Sequence, residues 1–246
     1  MDKPSAVVVG VGAEAGLGAA ICRRFAAGGY HVLVAGRTPA RIGRVASAIR
    51  AAGGNAEGVP TDTTDEAQVL NLFDRAMAPG PGLAPVDAVV FNAGNNWPIK
   101  FRELEAAKFE EFWRVGCYAG FLVGREAARR MAPLGRGTVL FTGASASVRG
   151  KPDYAHFAAA KAGLRAIAQS MAREFGPLGL HVAHVVIDGG IRGERLLKAV
   201  PQLEQMRGPD GLLEIDAIAE TYWQLHRQPR SAWAQEIDLR PYKEPF

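Results

Sequence analysis

The chain has 246 residues, of which 48% are hydrophobic and 22% are charged, and its formal net charge is +4. This balance is typical of a globular protein and excludes a largely disordered chain. The length fits one large α/β unit, so we expect a single domain over residues 1–246. Lys and Arg are scattered and form no basic block with interleaved aromatic residues, which argues against a nucleic-acid-binding protein.

Two cysteines, Cys22 and Cys117, fall on separate predicted helices. Their number and spacing fit neither a disulfide framework nor a zinc site, so we expect no bound metal. The first residues lack the charged start and cleavage site of a signal peptide. No stretch reaches the roughly 18 apolar residues of a membrane span. We therefore expect a cytoplasmic protein that does not bind a membrane.

The first half of the chain alternates short apolar runs with longer helical segments. Predicted strands cover 5–11, 30–35, 55–60 and 86–91, and predicted helices cover 19–27, 39–52 and 65–78. Thr38 and Thr64 are the predicted N-caps of the second and third helices, because their hydroxyls can accept hydrogen bonds from free N–H groups. Gly53 and Gly54 are predicted to end the second helix.

The same alternation continues in the second half. Predicted helices cover 105–131, 153–175 and 217–225, and predicted strands cover 138–142, 181–187 and 234–239. Asp153 is the predicted N-cap of the helix that ends at Phe175. The segment 79–85 is predicted to be a surface loop rather than a linker. Strands that alternate with helices indicate an α/β fold with a doubly wound parallel sheet, the Rossmann fold.

A glycine-rich turn joins the first predicted strand to the first predicted helix. It contains Gly12, Gly16, Leu17 and Gly18. Such a turn lets the backbone approach a pyrophosphate, and the helix N-terminus adds free N–H groups and a positive dipole end. Because the strand and the helix flank the turn as this motif requires, we predict a dinucleotide site here.

The spacing of these glycines resembles the cofactor loop of the short-chain dehydrogenase/reductase family. The resemblance extends along nearly the whole chain, and its further elements are the NAG motif Asn92-Ala93-Gly94, Asp62 at the adenine position, the active-site lysine Lys161, and Asp188-Gly189 at the usual Pro-Gly position. The resemblance implies a nicotinamide cofactor held by these loops, by Lys161 and by Ile191, which follows the Asp188-Gly189 turn.

The end of the second strand bears on the choice of cofactor. In NAD-using relatives an acidic residue at this point binds the ribose 2′-hydroxyl. Here the position is Gly36, and Arg37 follows it. A guanidinium can pair with a 2′-phosphate, so we expect NADP rather than NAD. Two observations leave the choice open: Arg37 could be a solvated loop residue, and Glu14 in the phosphate loop would oppose a phosphate.

The resemblance implies hydride transfer between the nicotinamide and a carbonyl or alcohol carbon. The family uses a Tyr, a Lys, a Ser and an Asn to supply and relay the proton. Lys161 is present, whereas Phe157, Ala144 and Gly116 occupy the other three positions. Phenylalanine has no proton to donate, and the loss of a general acid typically costs about 10²–10⁴ in rate.

Two nearby residues could replace the lost groups. Tyr154 precedes Phe157 by three residues, which on a helix places both on roughly the same face. Ser145 follows Ala144 directly. The predicted catalytic residues are therefore Lys161, Tyr154 and Ser145. Tyr154 could instead be a packing residue, and Ser145 could only satisfy loop backbone groups. The weaker candidates are Ser147, His156, Cys117 and Tyr118.

The resemblance also implies a homodimer or homotetramer through helices 105–131 and 157–172, and a substrate-covering segment near 190–212. The basic residues of that segment could favour an acidic substrate or could be solvated; they are Arg192, Arg195, Lys198 and Arg207. The predicted function is an NADP-dependent oxidoreductase acting on a small-molecule carbonyl or alcohol. The alternatives are a nucleotide-binding sensor or interaction protein with little turnover, and a lyase or isomerase.

Overall fold

The computed structural model describes residues 2–244. Its strands lie in two sheets. The larger sheet contains β1 (Lys3–Val9), β2 (His31–Gly36), β3 (Asn55–Pro60), β4 (Leu83–Phe91), β5 (Thr138–Thr142), β6 (His181–Ile187) and β9 (Glu236–Leu239). These seven strands are parallel and follow the order β3-β2-β1-β4-β5-β6-β9. The smaller sheet pairs β7 (Ile191–Arg192) with β8 (Leu213–Glu214).

Helices cover both faces of the larger sheet, and in chain order they are α1 (Leu17–Ala27), α2 (Pro39–Ala51), α3 (Glu66–Met77), α4 (Ala106–Trp113), α5 (Ala119–Met131), α6 (Ala155–Phe175), α7 (Glu194–Ala199), α8 (Leu203–Arg207) and α9 (Ile215–His226). One core lies between the sheet and α1, α2 and α9, and the other lies between the sheet and α3, α5 and α6. The predicted doubly wound Rossmann fold is therefore confirmed.

The apolar run of β1 explains this two-sided packing. Ala6 and Val8 point into the core with α1, whereas Val7 and Val9 point into the core with α3. All four side chains are fully buried. A strand covered on both faces needs apolar residues at every position, because successive side chains alternate between the faces.

The predicted helix 105–131 is interrupted. A π-helical turn at Arg114–Tyr118 separates α4 from α5. Gly116 and Gly120 let this region lie close to α6: an added Cβ would come within 2.9 Å of Ala160 Cβ at the first position and within 2.2 Å of Leu164 Cδ1 at the second. The interruption thus lies against the part of α6 that carries Lys161, and π turns often occur at functional sites.

Two predicted N-caps are wrong. Asp65, not Thr64, caps α3, since its carboxylate accepts hydrogen bonds from the Ala67 and Gln68 amides. Asp153 does not cap α6, because it adopts a left-handed φ of 67° and Tyr154 occupies the N-cap position. Thr38 does occupy the N-cap position of α2, but its side chain forms no capping hydrogen bond within residues 2–244.

The other predicted strands and helices agree with the observed bounds to within three residues. Sequence reasoning did not find the short elements α7, α8, β7 and β8, which form the segment after β6. Within the described residues, no helix has both the length and the apolar character needed to cross a membrane. Because the larger sheet is parallel, the carboxyl ends of its strands meet at one edge, and the candidate site lies there.

Candidate cofactor and active site

The glycine-rich loop packs closely on the NAG motif. Gly10 has a φ of +80°, and an added Cβ would lie 2.6 Å from the Ala93 nitrogen. At Gly18 an added Cβ would lie 3.2 Å from Asn92 Nδ2. At Gly12, by contrast, no described atom lies within 4 Å of that point. The loop is therefore tight on its inner side and open at Gly12, where a ligand could approach the backbone.

The N-terminus of α1 faces this loop. Gly16 is the N-cap, with extended backbone angles and no side chain to occupy the first amide groups. Leu17 begins the helix and is buried against the core. The loop and the free N–H groups of the first helical turn together form a site suited to an anionic pyrophosphate.

The end of β2 cannot carry an acidic side chain. A Cβ at Gly36 would lie 2.3 Å from the Val11 carbonyl oxygen, which belongs to the backbone of the phosphate loop. Arg37 follows and is exposed, as are Arg41 and Arg44 on α2. Glu14 is also exposed in the loop, and its carbonyl accepts a hydrogen bond from Arg23. The charge near the end of β2 is therefore mainly positive.

Asp62 is held at the carboxyl end of β3. Its Oδ1 atom accepts hydrogen bonds from the Thr64 amide at 2.9 Å and the Thr64 hydroxyl at 2.8 Å. Its own amide donates to Gln68 Oε1 at 2.8 Å. These bonds fix the turn between β3 and α3, so Asp62 has a structural role whether or not it also contacts adenine.

Lys161 is the central charged group of the site. Its side chain is buried, and Nζ donates hydrogen bonds to the carbonyl oxygens of Thr142 at 2.7 Å and Ala93 at 3.4 Å. Gly94 leaves room for it, because an added Cβ there would lie 3.2 Å from Nζ. Within residues 2–244 Lys161 forms no salt bridge with a carboxylate. Burial lowers the pKa of Lys161 to about 8, and the nearby Cys117 opposes this change.

The resemblance aligns Phe157, Gly116 and Ala144 with the other three polar positions of the family. Phe157 is half-buried on α6, one turn before Lys161. Gly116 lies in the π turn, where the close approach of Ala160 leaves little room for a longer side chain. Ala144 follows β5 with an extended backbone. The site thus contains the lysine, whereas these three positions carry no polar side chain.

The structure changes the argument for Tyr154. It precedes α6 as the N-cap residue with non-helical angles of φ −124° and ψ 24°, so the prediction that it shares a helical face with Phe157 is wrong. It remains half-buried and next to the first turn of α6, since its carbonyl accepts a hydrogen bond from the Ala158 amide at 2.8 Å.

Ser145 is half-buried and begins a 3-10 turn, Ser145–Ser147, which Gly143 and Ala144 separate from the end of β5. Two contacts of Ser147 hold the turn. Ser147 Oγ accepts a hydrogen bond from the Ala144 amide at 3.1 Å and lies 3.2 Å from His184 Nε2. His184 Nδ1 lies 3.0 Å from Glu236 Oε2. Burial lowers the pKa of His184 to about 4, which keeps the ring neutral near pH 7.

The sequence predicts only part of the buried hydrogen-bond chain that links Ser147, His184 and Glu236. Ser147 was a weaker candidate, but its hydroxyl is buried beneath the turn and supports the loop that carries Ser145. His184 was missed, although the sequence offers a signal: it is a polar residue in the middle of β6, whose only other polar residue is His181 at the start of the strand. Glu236 at the start of β9 was also missed, since nothing in its local sequence marks it.

The remaining weaker candidates have other environments. His156 is buried against the Phe112 ring at 4.2 Å, and its Nε2 lies 3.1 Å from the Trp97 carbonyl. Tyr118 stacks on Trp113. Cys117 lies near Lys161 and against Gly163, and burial raises the pKa of its thiol, with Lys161 opposing this change. Cys117 therefore does not have the character of an activated nucleophile.

The segment near 190–212 spans the predicted cofactor site. Glu194 donates its amide to the Ala15 carbonyl at 2.9 Å, which places the start of α7 on the phosphate loop. Arg195 donates to the Gly94 carbonyl at 3.2 Å and the Asn96 carbonyl at 3.1 Å. Ile191, at the beginning of this segment, pairs with Leu213 in the smaller sheet. The segment thus contacts both the phosphate loop and the NAG motif.

The basic residues of this segment are paired within the protein. Arg192 forms salt bridges with Glu204 and Glu214, Lys198 with Glu194, and Arg207 with Glu244. Arg195 binds the backbone carbonyls named above. These contacts give the four cations partners inside the chain, so they do not by themselves indicate an acidic substrate.

Comparison with known proteins places the chain in a family. A family model described as short chain dehydrogenase matches residues 6–198. The chain belongs to this family, as the resemblance implied. Its members are oxidoreductases, and the family implies a nicotinamide cofactor, NAD or NADP. The match includes the phosphate loop, the NAG motif and Lys161.

Individual relatives agree with this result. An uncharacterized oxidoreductase of Bacillus subtilis, YuxG, is 33% identical over 188 residues, which are 75% of this chain but only 27% of YuxG. The cis-4-hydroxycyclohexanecarboxylate dehydrogenase of Sinomonas cyclohexanicum is 33% identical over 72% of this chain and 70% of its own. A crystal structure of a short-chain dehydrogenase from Rhodopseudomonas palustris is 38% identical, with a TM-score of 0.81 over 97% of this chain and 99% of that chain.

The lowered pKa of Lys161 predicts that its contribution to the free energy of unfolding depends on pH. Between about pH 8 and pH 10.5 the unfolded chain retains a proton that folded Lys161 has released. The contribution of Lys161 to the free energy of unfolding therefore rises with pH over this range and is lost as the pH falls through about 8. In Lys161→Met this dependence is absent.

We expect the free energy of unfolding of the wild type, minus that of Lys161→Met, to increase by about 2 kcal/mol between pH 8 and pH 10. Urea unfolding followed by far-UV circular dichroism measures both free energies at each pH. A difference that stays constant, or that decreases with pH, would contradict the buried and unpaired state of Lys161.

Proposed function

We propose that this chain is an NADP-dependent oxidoreductase that acts on a carbonyl or alcohol group of a small molecule, with a proton donor that differs from the family's tyrosine. The observation that carries the proposal is the buried Lys161, held on two backbone carbonyls beside Gly94 and without a carboxylate partner in the described residues. Burying an ammonium group without a carboxylate partner costs free energy. The presence of Lys161 at this place therefore supports an active site.

The preference for NADP rests on the end of β2. Because no Cβ fits at Gly36, a carboxylate cannot bind the ribose 2′-hydroxyl from this position. The exposed Arg37 can form paired hydrogen bonds with a 2′-phosphate, and Arg41 lies one helical turn further along. Glu14 is exposed in the phosphate loop, and its negative charge would weaken the preference.

We infer the remaining cofactor residues from the resemblance to the family. The loop residues Gly12, Gly16, Leu17 and Gly18 would hold the pyrophosphate with the N-terminus of α1, and Asp62 would lie beside the adenine. Asn92, Ala93, Gly94, Lys161 and Ile191 would hold the nicotinamide half. The open space at Gly12 supports the approach of a bound dinucleotide to the loop backbone. When bound, the nicotinamide supplies or accepts the hydride.

The protein must supply a proton to the oxygen of a carbonyl that is being reduced. We assign this role to Tyr154, or to a water held by Lys161 and Ser145. Tyr154 and Ser145 are both half-buried, and they precede α6 and follow β5 respectively. Lys161, with a pKa of about 8, can hold a positive charge near such a water at neutral pH. The positive charge also stabilises a developing alkoxide.

The names of two relatives support the substrate class. The Sinomonas protein is named for a hydroxycyclohexanecarboxylate, and another relative, from Gluconobacter oxydans, is named gluconate 5-dehydrogenase and is 27% identical over 171 residues. Both names describe oxidation of an alcohol carbon. Apolar residues at 116, 144 and 157 are the one feature that favours a nucleotide-binding protein with little turnover.

We propose that the protein is cytoplasmic, because the thiols of Cys22 and Cys117 are both free.

Arg37→Ala tests the cofactor preference. We expect this variant to bind NADPH about tenfold or more weakly, because a charge-assisted contact with the 2′-phosphate is lost, while its affinity for NADH changes little. Nicotinamide fluorescence measures both dissociation constants. Arg173→Ala, which removes an exposed arginine at the far end of α6, is the control. Equal losses for the two nucleotides would refute the role of Arg37.

Tyr154→Phe tests the proton donor. With a carbonyl substrate found by screening for NADPH oxidation, we expect kcat to fall by about 10²–10⁴ and the NADPH affinity to stay nearly unchanged. Tyr242→Phe, which removes the hydroxyl of a tyrosine that is 75% exposed, is the control. Full activity of Tyr154→Phe would exclude Tyr154 as the donor, and Ser145→Ala would then test the water held by Lys161 and Ser145.

We also propose that the protein forms a homodimer or homotetramer through α4, α5 and α6. Phe109 and Trp113 on α4 and Phe121 on α5 are each about 40% exposed, and exposed aromatic side chains such as these can pack against a second copy of the chain. We expect light scattering to give a mass at least twice that of the chain, and Phe121→Glu to lower it. Leu178→Glu, at another exposed apolar position, should leave the mass unchanged. A monomeric wild type would overturn this proposal.

A further inference from the structure

A hydrogen-bond chain runs from α9 to the candidate site. Tyr222 is fully buried on α9, in the core on the opposite side of the sheet from α6. Its hydroxyl donates a hydrogen bond to Thr142 Oγ1 at 2.8 Å. Burial raises the pKa of Tyr222, with the bond to Thr142 opposing this change, so the hydroxyl keeps its proton and acts as a donor.

Thr142 connects this tyrosine to two parts of the candidate site. It is the last residue of β5, and its own hydroxyl donates to Asn92 Oδ1 at 3.1 Å. Its carbonyl oxygen accepts the 2.7 Å hydrogen bond from Lys161. One residue therefore orients the amide of the NAG motif through its side chain and the ammonium group through its backbone.

The direction of the bonds determines how Asn92 faces the phosphate loop. Because Tyr222 donates to Thr142, the threonine proton is free to point at Asn92 Oδ1. Asn92 Nδ2 then faces the other way, toward Gly18 and the phosphate loop, where an added Cβ on Gly18 would lie 3.2 Å from it. The chain thus runs from α9 through the carboxyl end of β5 and the residue after β4 to the first turn of α1.

We propose that Tyr222 is a positioning residue for cofactor binding, which acts through Thr142 to orient Asn92 and to hold the carbonyl that binds Lys161. The inference rests on the proposed function, since it assumes that Asn92 and Lys161 hold a nicotinamide dinucleotide. Tyr222 itself is fully buried in the core that contains α1 and α9, so we assign it an indirect role.

A purely structural role would also place a hydroxyl in a buried hydrogen bond, so the test needs a matched variant. Tyr30 provides it: Tyr30 is also buried, and its hydroxyl bonds to His226 Nε2 at 2.6 Å. Tyr30 precedes β2 at the opposite edge of the sheet from the candidate site. Tyr222→Phe and Tyr30→Phe therefore remove similar buried bonds at different distances from the cofactor loop.

We expect both variants to lower the melting temperature to a similar extent. Only Tyr222→Phe should weaken NADPH binding, by about three- to tenfold, as measured by nicotinamide fluorescence. Thr142→Val, which removes the hydroxyl but keeps the carbonyl, should cause a similar loss, and Thr142→Ser should restore it. The double variant Tyr222→Phe/Thr142→Val should lose no more NADPH affinity than either single variant, because both substitutions break the same hydrogen-bond chain.

NADPH affinities that are unchanged in Tyr222→Phe, or lowered equally in Tyr30→Phe, would overturn the positioning role and leave only a contribution to stability. These results would leave the proposed function intact, because the wild type would still bind NADPH. A wild-type protein that binds neither NADPH nor NADH would overturn the proposed function, and the role of Tyr222 with it.

Discussion

A buried ammonium group is the constraint on which the site depends. Lys161 lies inside the protein and forms no salt bridge within residues 2–244, so its charge is stabilised only by carbonyl oxygens and by what binds beside it. The surrounding structure serves this arrangement. The glycine at position 94 leaves room for Nζ, the end of β5 presents the Thr142 carbonyl, and the π turn brings Gly116 and Cys117 against α6.

The polar groups that hold the loops of the site are mostly buried in the protein core next to the site. Tyr222 and Thr142 hold the NAG motif from the side of α9, while Ser147, His184 and Glu236 hold the loop that carries Ser145. The resemblance aligns Gly116, Ala144 and Phe157 with three polar positions of the family, and none of the three has a polar side chain. A hydrogen-bonded framework surrounds the lysine, and we propose that the proton comes from Tyr154 or from a water held by Lys161 and Ser145.

The sequence was sufficient for the fold and the cofactor loop because both depend on local patterns. Continuous apolar runs, glycines at a fixed spacing and residues such as Asn92 and Lys161 are visible without a structure. The caps at Asp65 and Tyr154 were not predicted correctly, since a single hydrogen bond or one left-handed residue decides where a helix begins. His184, Glu236 and Tyr222 could not be assigned, because their partners lie 37 to 80 residues away in the sequence.

The most direct test of the account is a titration of the wild-type protein and of Lys161→Met with NADPH and NADH, followed by nicotinamide fluorescence. The account predicts that the wild type binds NADPH more tightly than NADH and that Lys161→Met binds both more weakly. If the wild type bound neither nucleotide, or if Lys161→Met bound both as well as the wild type does, then the buried lysine would not be part of a cofactor site, and the central claim would be contradicted.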